Sequence, residues 1–281
     1  MRASGFWAGK ARAWRLASSL VLAAAVVPLS PPGAVVERAR IAPHRALYAL
    51  SLGQVRSDSS LVDARGMMAY EWGESCGGWT IEQRYRLKLD YGERADEDLR
   101  SSFVTWESKD GLRYRFNQTE AKNGKPRLDV RGAAILEGPG KGGVAVFSKP
   151  RAETLALPPG TLFPSAQTIV LINAARAGKR FLLRHVFDGA SEEKAAEVST
   201  VIGKKLVAPA AAAEKSPLLD QPGWRVRLAF FSAGSQALTP DYELGMDLLD
   251  NGVSRHLVID YGDYTIRGKL LKIEPLSKPK C

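Results

Sequence analysis

The side chains able to do chemistry are few and scattered. The 281 residues hold three histidines and two cysteines. His44, His185 and His256 lie far apart in the chain. No two stand at the i, i+2 or i, i+4 spacing with which a strand or helix offers two ligands to one metal ion. His185 alternates with Phe181, Leu183 and Phe187, which predicts a histidine of the core or its rim. With the two cysteines paired no thiolate is left, so neither a metal site nor a cofactor is expected.

Nucleophilic chemistry finds little support. No Gly-x-Ser-x-Gly elbow occurs, and Ser235 and Ser254 sit beside the turn glycines Gly234 and Gly252. A triad is defined by geometry, so an envelope hydrolase stays open as the least favoured reading. Asp260 and Asp263 flank Tyr261-Gly262, but two carboxylates are too few oxygen ligands for Ca²⁺, and a hairpin turn on Gly262 accounts for them. The run Gly138 to Gly143 lacks the Gly-Lys-Ser/Thr ending and the following helix of a phosphate loop. Arg84, Arg86, Arg113, Arg115, Arg225 and Arg227 alternate with apolar residues, a pattern that also suits single-stranded nucleic acid. In an exported chain a solvated outer face explains it instead. No catalytic residue is assigned.

Export is read from the first residues. Arg2, Lys10, Arg12 and Arg15 precede an apolar run from Leu16 to Val27 and then Pro28 and small residues. That order is the secretory pattern, and about twelve apolar residues are short for a bilayer span. Residues 1–34 are therefore expected to be a signal peptide cut after Ala25 or Ala34, with an uncleaved anchor as the rival. Without them 36 basic and 30 acidic residues remain, a net +6 that permits peripheral attraction to anionic envelope surfaces without requiring it. In an oxidising compartment Cys76 and Cys281 are most simply paired.

Elements that would position these groups follow from period-two alternation. Between Trp79 and Tyr91 the odd positions (Trp79, Ile81, Gln83, Tyr85, Leu87, Leu89) are mostly apolar and the even ones mostly charged. This predicts a long half-buried antiparallel strand. Similar runs surround Tyr48, Met68–Trp72, Phe103–Ser108, Leu112–Gln118, Leu128–Leu136 and Gly143–Phe147. Others follow at Arg180–Phe187, Ala195–Lys204, Trp224–Phe231, Tyr242–Leu249, Ser254–Tyr261 and Tyr264–Ile273, about thirteen strands in all. Asp110-Gly111, Asn123-Gly124 and Asn251-Gly252 supply hairpin turns. One segment differs: Ser165 to Ala177 places Thr168, Leu171, Ile172 and Ala175 at helical spacing before Gly178. The Ala- and Pro-rich stretch Val207–Gly223 reads as a surface loop. So many strands must curl. The expected fold is mainly β, a large antiparallel barrel-like or spiral sheet in a single domain from 35 to 281, with one inserted helix and a disulfide that clamps the end of the sheet onto its early strands.

Several segments in order, among them Pro43-His44-Arg45-Ala46-Leu47-Tyr48, Ser75-Cys76-Gly77-Gly78-Trp79-Thr80, Thr161-Leu162-Phe163-Pro164, Val186-Phe187-Asp188-Gly189 and Ile259-Asp260-Tyr261-Gly262-Asp263-Tyr264, resemble the EipB-type cell envelope integrity proteins of α-proteobacteria. The resemblance runs from about Ile41 to Cys281. Gln167 departs from it, standing where a His is expected. The resemblance implies a periplasmic β-spiral similar to lipoprotein carriers, paired cysteines at Cys76 and Cys281, and maintenance of the envelope without established catalysis. A lipid or lipoprotein ligand, or a periplasmic protein partner, fits that role. From alternation alone, Tyr48, Leu50, Trp79, Ile81, Tyr85, Leu87, Leu112, Tyr114 and Phe116 are the candidate cavity liners. A solid interior, with the protein acting as a scaffold through its outer surface, is the alternative.

Overall fold

A computed structural model describes residues 39–57, 59–190, 194–206 and 216–281, which belong to one compact unit. The expected leader, residues 1–34, and most of the Ala- and Pro-rich loop fall outside the described residues. From Leu218 onward that loop is not bare surface, because Leu219 is buried in the core.

Among the described residues fourteen strands form one antiparallel sheet. The first eight are β1 (His44–Val55), β2 (Asp63–Glu74), β3 (Gly78–Asp90), β4 (Glu97–Ser108), β5 (Arg113–Lys122), β6 (Lys125–Leu136), β7 (Gly143–Lys149) and β8 (Glu153–Leu157). After the helix α1 (Pro164–Arg176) come β9 (Phe181–Val186), β10 (Ala196–Leu206), β11 (Gly223–Phe231), β12 (Tyr242–Leu249), β13 (Ser254–Asp260) and β14 (Tyr264–Pro275). Neighbours in sequence are neighbours in space, except that α1 separates β8 from β9 and that β14 pairs with β1. Ala46 faces Ile273 and Leu50 faces Gly268 across that pair. The first and last strands thus lie side by side in the middle of the sheet, and β8 and β9 are its two edges.

Local sequence explains much of this. In β3 the charged Arg84, Arg86 and Lys88 are exposed while Trp79, Ile81, Leu87 and Leu89 are buried. Asn123-Gly124 makes the one two-residue turn expected of the three dipeptides, both residues at positive φ, with Lys122 opposite Lys125. At Asp110-Gly111 and Asn251-Gly252 only the glycine takes positive φ, and the loops are longer. The fourteenth strand, β8, is one that alternation did not reveal, because five residues are too few for the pattern.

The sheet is curled around α1. Trp72, Trp79 and Ile81 from β2 and β3 share one cluster with Ile169, Leu171 and Ile172 of the helix and with Val198, Val226 and Leu228 of β10 and β11. Six strands separate β3 from β10 in the sheet, so only curvature brings both onto one helix. The helix is buried on more sides than its expected stripe, with Ser165, Gln167 and Ile169 inside as well. Just before it, Leu162 donates to the His185 carbonyl (2.9 Å) and accepts from the Phe187 amide (3.0 Å), a parallel strap along the edge of β9. Phe163 and Phe187, on either side of that strap, join Tyr114, Phe116 and Phe147 in a ring cluster, with Tyr114 stacked on Phe163 at 4.8 Å. Gly189, at φ +69°, lies so close to the Phe116 ring that a Cβ would fall 2.3 Å from it. Aromatic contacts of this kind join the two ends of the sheet.

Cys76, in the β2–β3 turn, is bonded to Cys281. The tail reaches it by passing β1, with the Leu276 amide on the Pro43 carbonyl at 2.9 Å. The bridge does not clamp a sheet end, as expected from chain order, because β14 is central. It staples the C-terminal tail across the two middle hairpins. A closed loop with 205 residues of separation would, by loop entropy, stabilise by about 5 kcal/mol. Cys76→Ser or Cys281→Ser should lower the Tm by roughly 10 °C or more in thermal melts, and the wild type should show the same loss with reductant. Melting that ignores both changes contradicts this role.

Candidate functional site

The curled sheet holds a cavity of about 480 Å³ beside α1. Its walls come from inner faces far apart in sequence: Tyr48, Met68, Tyr70 and Tyr85 from β1 to β3, and Leu244, Met246, Leu257 and Ile259 from β12 and β13. In β13 the strand period alone would send Ser254 and His256 inward together. A bulge instead puts His256 at φ +51° and outside, on Asp247 (Nδ1 to Oδ2 2.7 Å), so that both Ser254 and Leu257 face the cavity. Bulges are the usual means of re-aiming a side chain in a sheet.

Both ends of the helix that closes the cavity are pinned. The Ser165 and Ala166 amides donate to the two carboxylate oxygens of Glu107 at 2.7 and 2.8 Å, which caps the first turn from β4 because Phe163 at the N-cap offers no acceptor. At the other end Arg176 donates from Nε and a terminal nitrogen to Asp250 at 2.7 and 2.8 Å. Gly178 at φ +74° then terminates the helix. So held, α1 turns Gln167, Thr168 and Leu171 toward the cavity.

The polar groups of the wall are distinctive. Gln118 donates to Ser101 Oγ (3.0 Å) and Glu120 Oε1 (3.2 Å), while its own carbonyl oxygen has no partner among the described residues. Among the described residues neither amide atom of Gln167, only 5% exposed, has a partner, nor has the Trp72 indole N–H. Tyr48 donates to the Ser254 carbonyl at 2.8 Å. His44 is buried with Nδ1 2.8 Å from the Ala42 carbonyl, and burial lowers its pKa. Burial likewise raises the Asp188 carboxyl, whose Oδ1 accepts from the Ala190 amide at 2.9 Å.

Of the nine residues expected to line a cavity, Tyr48 and Tyr85 do. The other seven do not. Leu50 and Leu87 fill the core around β1 and β14, Trp79 and Ile81 pack in the cluster around α1, and Tyr114 and Phe116 belong to the ring cluster, with Leu112 at its margin. Alternation identifies the inner face of a strand but not the depth at which the interior stops being filled. The missed liners on β12 and β13 carry the same signal, and a sharper one lay in Gln118, a polar residue continuing the inward series Tyr114 and Phe116. His185 stands at a rim and not in the core: it is half-buried, with Phe181 and Leu183 before it 73% and 54% exposed and Phe187 after it buried. The six alternating arginines are also on the outside, where Arg86 binds Asp98 and Arg225 binds Asp247. Ser254 Oγ lies 3.1 Å from Met246 Sδ, on the face opposite the His256–Asp247 pair. Among the described residues no group of three or more His, Cys, Asp or Glu side chains could hold a metal ion.

The model of a family described as EipB-like matches residues 36–277. The chain is 33% identical over 239 residues to the cell envelope integrity protein EipB of Brucella abortus (strain 2308), covering 84% of each. It is also similar to the crystal structure of a β-barrel-like protein of a domain of unknown function, DUF1849, from Brucella abortus, with TM-score 0.79 and 30% identity, over 85% of this chain and all of that one.

Burial pushes Glu107 up to about 7 against an ordinary 4.5, despite the two amides. The folded state therefore holds this proton more tightly than the unfolded one, and its contribution to stability declines as pH rises through that window. In denaturant titrations at several pH values, the stability of the wild type relative to Glu107→Gln should fall between about pH 4.5 and about pH 7 and then level. Glu107→Ala, which leaves the buried Ser165 amide and the part-buried Ala166 amide without an acceptor, should cost about 2 kcal/mol.

Proposed function

This chain belongs to the EipB-like family, and on that footing we propose that it is a periplasmic, non-catalytic protein that maintains the cell envelope by holding the acyl part of an amphiphile inside its curled sheet. The observation that carries the reading is the cavity of about 480 Å³, within the range of small-molecule sites and walled largely by apolar and aromatic side chains. At roughly 30 Å³ for a group the size of a water molecule, it has room for one acyl chain with a small head. The signal-like leader and the disulfide support an oxidising compartment outside the cytoplasm. The name of the Brucella relative supports the envelope role. A free lipid and the acyl group of a lipoprotein present the same chain to such a site.

A second reading rests on the outer surface. Phe181, Leu183 and Val201 are exposed side by side on β9 and β10, since Phe181 faces Val201 in register. An envelope protein partner docking there would make the molecule a scaffold.

Mature protein purified from the envelope should carry acyl lipids in native mass spectra. Added lauroyl ligands at a hundred times their Kd should stabilise by about 2.7 kcal/mol, a rise in Tm of roughly 5–10 °C. Leu244→Trp, which fills the cavity, should abolish that rise. Neither bound lipid nor a shift would defeat the carrier reading in favour of the scaffold.

A further inference from the structure

We infer that the cavity selects an amphiphile whose head is uncharged and rich in hydroxyl or amide groups, and rejects phosphate and carboxylate heads. This rests on the acyl-binding reading and adds what that reading leaves open, the chemistry at the polar end of the ligand.

The argument begins with what is buried and unpartnered. Gln167 on α1 presents a donor and an acceptor, Gln118 on β5 an acceptor, and Trp72 on β2 a donor, all on residues less than a tenth exposed and all lining the cavity. Native interiors seldom leave such groups unsatisfied, and where they do the site has a use for them. An amide on a buried helix face also weakens the packing of that helix, so its presence needs a reason other than stability.

Charge narrows the class. Among the described residues that line the cavity, Glu120 and Asp188 are acidic and none is Lys or Arg. On the flanking strands Arg84, Arg86, Arg225 and Arg227 are exposed, and Arg255 of β13, although buried, is not among the lining residues. An anionic head inside would be stripped of water, would meet no lysine or arginine among the lining side chains, and would face two carboxyl groups. A head with O–H or N–H donors suits Gln118 Oε1 and the two carboxyls, and its own oxygens suit the Gln167 amide and the Trp72 indole, once those side chains turn their covered polar atoms to the cavity. The groups match a glycerol, sugar or amide head. They do not match an anion.

The test is a series sharing one lauroyl chain: monolaurin, N-lauroylethanolamine, lauric acid and lauroyl lysophosphatidic acid, titrated calorimetrically at neutral pH into the full mature protein. The two uncharged ligands should bind at least about tenfold tighter than the two anions, the scale set by hydrogen bonds to buried orphan groups. Gln167→Leu should bring that preference to within about threefold, and should leave the ligand-free protein equally or more stable, as removal of an unsatisfied buried amide predicts. Gln118→Met gives an independent variant in a strand should the helix tolerate no change. Anions binding as well as the uncharged ligands, or a preference unaltered in both variants, would overturn the inference and leave the acyl site standing. No binding by any of the four would instead remove the acyl-binding reading on which it rests.

Discussion

A sheet of fourteen strands has two edges, and the way this protein deals with them governs everything inside it. Open edges invite pairing with other chains, and a twisted sheet of this size does not stay flat. The strap at Leu162 covers the edge of β9 with main-chain hydrogen bonds, and the rings of Phe163 and Phe187 on either side of it lock into those of Tyr114, Phe116 and Phe147. The strap is continuous with α1, since Pro164 at the start of the helix follows Phe163 directly. Closing the sheet and inserting the helix are therefore one structural event.

Once the helix is inside, its ends decide where the cavity is. Glu107 holds the first turn through two amides and Asp250 holds the last through Arg176, so α1 cannot slide along the interior without breaking charged hydrogen bonds. On one side Ile169 and Ile172 pack against the sheet; on another Gln167 and Leu171 reach the cavity, Leu171 in the core cluster as well. A buried carboxylate at a helix start favours the dipole yet suffers from desolvation, and the upward shift of Glu107 shows that desolvation prevails. Stability has been given up in several places, at this acid and at unpartnered polar groups, and the orphan amides of Gln118 and Gln167 lie on residues that line the cavity. Those two amides are the mark that a function leaves in a fold that could have been packed more tightly.

Much of the fold was legible in the chain. Alternation located thirteen of the strands, the break at Ser165–Ala177 located the helix, and the two cysteines pointed to their bond. Pairing order was not legible at its one non-local step, because nothing in β1 or β14 alone says that Ala46 will face Ile273 across more than two hundred residues. That step also relocates the disulfide from the end of the sheet to its middle. The site was harder. Period two separates inner from outer faces only while the strand is regular, and the bulge at His256 reverses the assignment within one strand. In β9 the charge pattern is weak, so Phe181 and Leu183 read as core although they are exposed. Cavity and core share most of their residue types, and polar exceptions such as Gln118 and Gln167 mark one from the other.

The central claim is that the space between α1 and strands β12 and β13 is a ligand site. Diffusing a lauroyl ligand with a terminal bromine into crystals of the mature protein, and locating the bromine by anomalous scattering, tests this most directly. The account predicts a single bromine site enclosed among Met68, Leu244, Met246 and Leu257, with the head near Gln167. Bromine found only on the exposed patch of Phe181 and Leu183, or an interior filled by rearranged side chains, would contradict it.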